Sequence, residues 1–172
     1  MVAGVGGESP CSSFKWPSMR VPRLGLSPRE RGVLGKVVLS SPLLNEILFH
    51  SEKPNCEICG ALYGTFAEAT VRLSHLYLCP NHSQSPSEFA IDIEEMAATW
   101  PPTGGARRRL VGVFHSHPRG EPTPSVYDLP FLRCSQMLWA ISGRTPSSRS
   151  PEVRFFIHVD GVTKEVHQLV EQ

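Results

Sequence analysis

Two histidines one residue apart, His115 and His117, are followed within one short stretch by Ser125 and Asp128. Neutral imidazoles and a carboxylate are zinc ligands, and three protein ligands plus a water describe a catalytic zinc rather than a structural one. The run before them, Leu110-Val111-Gly112-Val113-Phe114, is apolar and suits a buried strand. If that strand continues through the histidines, residues i and i+2 share a face and both imidazoles point the same way. Pro118, Pro122 and Pro124 stiffen the loop that would return Asp128 to them. Ser125-x-x-Asp128 also reads as a helix-capping box with Asp in place of Glu or Gln. The two readings are compatible, because a capped first turn fixes Asp128. Pro130 adds a constraint: a helix capped at Ser125 would carry it at the fifth position and lose a backbone bond, so a regular start nearer Pro130 is expected.

The elements that must position these residues are legible in outline. Residues 1–34, rich in Gly, Ser, Pro and Arg, read as an irregular N-terminal extension, and 35–172 as a single domain. Ser41-Pro42 marks a helix start, with serine as cap and proline at the first position, and Leu43, Leu44, Ile47 and Leu48 follow on one face. Residues 58–64 and 71–78 read as strands, and Asp92 as the cap of a helix carrying Ile93, Met96, Ala97 and Trp100. After a Pro/Gly loop at 101–105 come the strand at 109–116, a helix between Ser125 and Gln136, and strands at 137–142, 153–159 and from Gly161 through Val170. This order predicts an α/β (α+β) fold with a central mixed sheet flanked by helices, not a doubly wound parallel sheet.

Composition bounds the function. A chain of 172 residues, 40% hydrophobic, buries a real core but is too short for two full-sized domains. A net charge of +1 and a pI near 7.7 give no support for nucleic acid or an anionic membrane as partner. Arg107-Arg108-Arg109 is the one local basic run and reads as a solvated loop flank. No stretch has the length of apolar sequence that a membrane helix needs. Five cysteines at irregular spacing are no disulfide framework, and the N-terminus lacks a secretory core, so a cytoplasmic location is expected.

A zinc hydrolase also needs a proton-transferring group. Bound zinc lowers the pKa of its water from about 15.7 to about 7, and a carboxylate beside that water can move its proton to the leaving amine for about 10²–10⁴-fold in rate. Glu57, at the lip of the 58–64 strand, is the distinctive acid; taken alone, an edge glutamate is more often a solvated residue than a base. His75, His82, His158 and His167 stand singly and read as core or surface residues. Cys56-x-x-Cys59 lacks the second ligand pair of a zinc knuckle, which leaves a packed cysteine, a redox pair or a regulatory thiol as readings. His50-Ser51-Glu52 before these cysteines does not fit the zinc-deaminase pattern, whose halves start two separate helices.

Taken together, Pro54-Asn55-Cys56-Glu57-Ile58-Cys59-Gly60-Ala61-Leu62-Tyr63-Gly64, His115-Ser116-His117-Pro118 and Pro124-Ser125-Val126-Tyr127-Asp128 resemble the JAMM (MPN+) zinc metalloprotease family. That family's pattern is a Glu, then His-x-His, seven residues, Ser, two residues, Asp. Asn81-His82-Ser83-Gln84-Ser85-Pro86-Ser87-Glu88-Phe89 is similar to its intervening segment, so the resemblance covers about residues 36–170. It implies a cytidine-deaminase-like MPN fold, mostly antiparallel, and one catalytic Zn2+ held by His115, His117 and Asp128. It implies Glu57 as general acid/base and Ser125 as a hydrogen-bonding support for the tetrahedral intermediate. The implied activity is that of a deubiquitinase- or desampylase-like isopeptidase cutting after the C-terminal Gly-Gly of ubiquitin or a ubiquitin-like modifier. A thin diglycine tail suits a groove bordered by strands, with an exposed strand edge available for β-addition. The sequence leaves open whether a partner such as the proteasome is needed. Two other readings stand beside it: a scaffold module that binds such a tail without cleaving it, and a RadC-like DNA-associated protein, whose usual His-Asn-His differs from the His-Ser-His present here.

Overall fold

The computed structural model describes residues 25–52, 56–83, 89–92, 108–148 and 150–172. Helix α1 spans Pro28–Val33, strand β1 Lys36–Ser40, helix α2 Ser41–Ser51, β2 Cys59–Ala67, β3 Thr70–Cys79 and β4 Arg109–Ser116. Helix α3 (Asp128–Cys134) and strands β5 (Leu138–Gly143), β6 (Glu152–Val159) and β7 (Val162–Glu171) complete the chain. The expected helix over residues 93–100 lies outside the described residues.

Strand pairing runs β1-β3-β2-β4-β5-β6-β7 and closes into a barrel through a parallel β1–β7 ladder. β1–β3 and β4–β5 are also parallel, while β2–β3, β2–β4, β5–β6 and β6–β7 are antiparallel. The expected mixed, mostly antiparallel sheet with flanking helices is therefore present. Its closure was not foreseen: every described strand has two neighbours, but β1 covers β3 only at Thr70–Arg72, so residues 73–79 keep a strand edge on that side with no strand partner among the described residues. β2 and β3 join through Glu68-Ala69, both at left-handed φ (48° and 59°), and β6 and β7 through Asp160-Gly161 at 52° and 79°. Asp-Gly is a strong two-residue hairpin signal; Glu-Ala carries no such signal. The Ala69 carbonyl accepts from Gly35 N–H at 2.9 Å, which ties that turn to the start of β1.

The sheet is buried on both faces where it matters. β5 is buried throughout, its Leu138 and Ala140 packing into one cluster with Leu39, Leu62, Phe114, Phe155 and Ile157. Trp139 and Ile141 point the other way into a second cluster with Ala61, Tyr63, Leu110, Leu132 and Phe156. Such two-faced burial explains the near-continuous apolar runs of β4 and β5. Helix α2 lays Leu43, Ile47 and Ser51, at i, i+4 and i+8, onto the first cluster. Its cap is Ser40, whose hydroxyl accepts from Leu43 N–H at 3.4 Å, one residue before the expected Ser41. The helix takes Ser41 as its first position because Ser40 ends β1 in extended backbone.

Residues 27–34, assigned to the extension from sequence, form α1 and its cap, and flanking Leu26 and Leu34 are buried in the first cluster. Ser27 and Glu30 make a reciprocal capping box: Ser27 N–H donates to Glu30 at 2.8 Å, and Glu30 N–H to the Ser27 hydroxyl at 3.3 Å. Glu30 also pairs with Arg109 at 2.6 Å, joining α1 to the first residue of β4. Burial pushes the Glu30 carboxyl up, but Arg109 and the Ser27 bonds outweigh it and hold the group below its ordinary value. A lowered carboxylate stabilises the fold above its unfolded pKa, and that contribution disappears as pH falls through the lower folded value. Glu30→Gln keeps a capping side chain and loses the ion pair. It should cost about 1 kcal/mol at pH 7 and progressively less as the pH falls through the carboxylate range, read by urea denaturation across that range; a cost that does not fall with pH would contradict the pairing.

Candidate active site

Strand β4 sits between β2 and β5, and its C-terminal end carries the histidines. Cys59 on β2 stands opposite His115 on β4. Opposed residues of an antiparallel pair share a face, so continuing this register by two residues sets Glu57 opposite His117, on the imidazole side. Ser116 locks that alignment from both directions: its N–H donates to the Ile58 carbonyl at 2.9 Å, and its hydroxyl accepts from Ile58 N–H at 2.9 Å. Glu57 is buried, at 5% exposure, so it is no solvated edge residue. Its negative charge acts on His117.

Asp128 reaches the histidines from α3. His115 Nε2 lies 3.3 Å from Asp128 Oδ1, His117 Nε2 lies 3.4 Å from Oδ2, and the two Nε2 atoms are 3.0 Å apart. One donor atom from each residue falls within 4.8 Å of the others. Ser125 and Asp128 hold one another, since Ser125 N–H donates to Asp128 Oδ2 at 2.7 Å and Asp128 N–H to the Ser125 hydroxyl at 3.3 Å. The reciprocal Ser125–Asp128 bonds expected of a capping box are present, but they lie ahead of the helix, whose N-cap is Tyr127 with no side-chain cap bond. Helix α3 begins at Asp128, so Pro130 falls in its first turn, where backbone N–H groups have no intrahelical acceptor.

The loop between the histidines and Ser125 docks on the end of β5. His117 N–H donates to the Ser142 carbonyl at 2.7 Å, and Arg144 N–H to the Gly120 carbonyl at 2.8 Å. Gly143 has to lack a side chain, because a Cβ there would collide with the Gly120 carbonyl. His117 Nδ1 lies 2.8 Å from the Glu121 carbonyl. With Nδ1–H donating there, it is the Nε2 position, facing His115 and Asp128, whose proton a metal ion would displace. His115 is fully buried, its ring stacked on Phe89 (centroids 4.4 Å, 20°) and edged by Trp139 (5.7 Å, 84°).

The electrostatics fit a cation. Burial lowers the pKa of His115, against the opposing pull of Asp128, and keeps the ring neutral. Burial also acts to lower His117, but Asp128, the Glu121 carbonyl and the charge of Glu57 together raise it. Burial pushes the Asp128 carboxyl up, yet hydrogen bonds from both imidazoles and from Ser125 hold it far below the usual carboxylate range. Two Nε2 atoms and a carboxylate, aimed at one point beside a buried acid, are a donor set that suits a divalent metal ion.

Sequence reading passed over several residues that build this site. Trp139 looked like any strand residue, and Ser116 like filler between two ligands. Phe89 and Asn81 appeared only inside a segment similar to the family's. Cys56 and Cys59 do not act as a pair: Cys56 is exposed, whereas Cys59 is buried opposite Cys79 in the β2–β3 register. All three are free thiols, while Cys134 is disulfide-bonded.

Fold and donor set together suit a hydrolase that uses a metal ion. The chain belongs to the family described as prokaryotic homologs of the JAB domain, which matches residues 40–157. It is 30% identical over 105 residues to a desampylase of Pyrococcus furiosus, covering 61% of this chain and 72% of that one. To a CysO-cysteine peptidase of Mycobacterium tuberculosis it is 28% identical over 145 residues, 83% of this chain and 97% of the relative. A protein of Desulfitobacterium hafniense solved in solution shares the fold, with a TM-score of 0.66 at 23% identity over 79% of this chain and 93% of that one. The JAMM-type hydrolase expected from the motifs is what family and relatives show. No helix among the described residues is long and apolar enough to cross a membrane.

Because a metal ligand must be deprotonated, raised His117 makes protons compete with the ion. One divalent ion per chain should bind with an affinity that climbs as pH rises across the imidazole range, and Asp128→Asn should weaken it by at least about 100-fold. Isothermal titration calorimetry at several pH values checks both; a flat pH profile, or binding unaffected by the substitution, would contradict the assignment. Burial, with the charges of Cys79, Glu57 and Cys56, pushes the Cys59 thiol up to about 12, so it is no nucleophile at neutral pH. Iodoacetamide at pH 7.5 should label Cys56 first and Cys59 only after unfolding, by peptide mass; equal labelling of the native protein would restore the redox-pair reading.

Proposed function

We propose that this protein is a zinc-dependent isopeptidase or peptidase that hydrolyses the bond after the C-terminal Gly-Gly of a ubiquitin-like modifier or sulfur-carrier-like protein. The observation that carries this reading is the convergence of His115, His117 and Asp128 donor atoms within 4.8 Å on the face where the register sets Glu57. Membership of the JAB family and relatives named desampylase and CysO-cysteine peptidase support the substrate class.

In this reading His115, His117 and Asp128 hold the ion, and the nitrogen–nitrogen–oxygen set favours zinc with one position open. When bound, zinc supplies an acidified water and polarises the scissile carbonyl. Glu57 takes the proton from the attacking water and returns it to the departing amine, a task for which its buried position opposite His117 suits it. Ser125 steadies the developing oxyanion. Its hydroxyl oxygen accepts from Tyr127 and Asp128 N–H, at 3.2 and 3.3 Å, and its own hydrogen, which serves the Asp128 carboxylate, turns to the oxyanion as that charge develops. Phe89 and Trp139, packed on the His115 ring, keep water from it.

The catalytic unit in this proposal is a single domain, with a soluble modifier conjugate as partner. A cytoplasmic setting completes it; three free thiols agree with that setting, and the Cys134 disulfide stands against it. A linear fusion or isopeptide conjugate ending in Gly-Gly, incubated with the zinc-loaded protein, should be cut after the second glycine. Glu57→Gln should lower kcat by about 10²–10⁴-fold with metal content unchanged. Cleavage that survives this substitution at full rate would overturn the mechanism.

A further inference from the structure

Glu57 precedes the first residue of β2, and the β2–β3 and β2–β4 registers both begin at Cys59. Beside the Ser116–Ile58 bonds that end the ladder, a side chain from outside it helps hold the Glu57 backbone. Asn81, just past the end of β3, does so: its Nδ2 donates to the Glu57 carbonyl at 3.0 Å. The same side chain accepts through Oδ1 from Ser83 N–H at 2.9 Å and Ala90 N–H at 3.0 Å. His82 N–H donates to the Ala90 carbonyl at 3.0 Å, closing the loop that Asn81 spans. Phe89 lies beside that closure, stacked on His115 and packed with Ile91 against the second core cluster. One amide therefore ties the backbone of the buried acid to Ala90, next to the phenylalanine stacked on a buried imidazole.

We infer that Asn81 is a positioning residue for the reaction proposed above: it fixes the backbone of Glu57 and, through its bond from Ala90 N–H, the seat of the neighbouring Phe89 on His115. The inference rests on that reading of the site. Its chemistry depends on the amide having both a donor end and an acceptor end. Asparagine offers two donors on nitrogen and an acceptor oxygen, whereas aspartate keeps the acceptor and loses the donor. Asn81→Asp therefore separates the two tasks, retaining the bonds from Ser83 and Ala90 and releasing the Glu57 carbonyl. Asn81→Ala releases everything. A displaced proton-transfer group costs turnover rather than substrate affinity, because a misplacement of about 1 Å can cost about 100-fold.

Kinetics on a Gly-Gly fusion, metal content, and amide hydrogen exchange of Ser83 and Ala90 should be measured together for wild type, Asn81→Asp and Asn81→Ala. The expected result is kcat lowered by about 10-fold or more in both variants, with KM and bound metal unchanged. Exchange at Ser83 and Ala90 should stay slow in Asn81→Asp and become fast in Asn81→Ala. Full turnover by Asn81→Asp beside an active wild type would overturn this inference alone. A loss of activity matched by loss of bound metal would overturn it as well, by making Asn81 merely structural. A wild type that releases no tail would overturn the underlying function, and this inference with it.

Discussion

The antiparallel alignment of β2 with β4 is the constraint on which the site depends. Cys59 opposite His115 sets which face each strand presents, and a slip of one residue would turn Glu57 away from the imidazoles. Burial on both faces makes such a slip costly, since Ala61 and Leu62 would exchange clusters along with it. Ser116, held between the two ligands, adds two hydrogen bonds to Ile58 at the point where the ladder ends. The alignment is thus strongest next to the residues that need it.

Around that register the polar groups are arranged to concentrate donors at one point. Asp128 is buried at 5% exposure and draws on both imidazoles and on Ser125, so its charge is sustained inside the protein. Glu121 offers only a carbonyl, yet that carbonyl orients His117 with Nε2 facing His115 and Asp128. The short α3 contributes its first turn more than its length: Asp128 is its first residue, and the Ser125 bonds hold that turn from outside. Stability and chemistry share these contacts, and weakening them would loosen both.

Much of this was legible in the chain. The apolar run before His115 marked β4 to the residue, because a central strand buried on both faces needs no alternation. Gly161 marked the turn into the last strand, β7. Lys36–Ser40 was missed as a strand: it is short, and it pairs in parallel with β7 and β3, both remote in sequence. Barrel closure was illegible for the same reason, since nothing local encodes a ladder between distant segments. Helix α1 did have a local signal, Ser27-Pro28-Arg29-Glu30, which glycine- and proline-rich surroundings obscured. Within the site, the two histidines and Asp128 were readable from spacing, whereas Glu57 depended on family resemblance, because only the register explains its burial.

The measurement that bears most directly on the account is anomalous diffraction at the zinc edge from crystals of the zinc-loaded protein. The register and the donor geometry predict one strong peak per chain about 2.0–2.2 Å from His115 Nε2, His117 Nε2 and an Asp128 oxygen, with the Glu57 carboxylate facing it. A peak on the cysteines, or one at the histidines with Glu57 turned away, would contradict it.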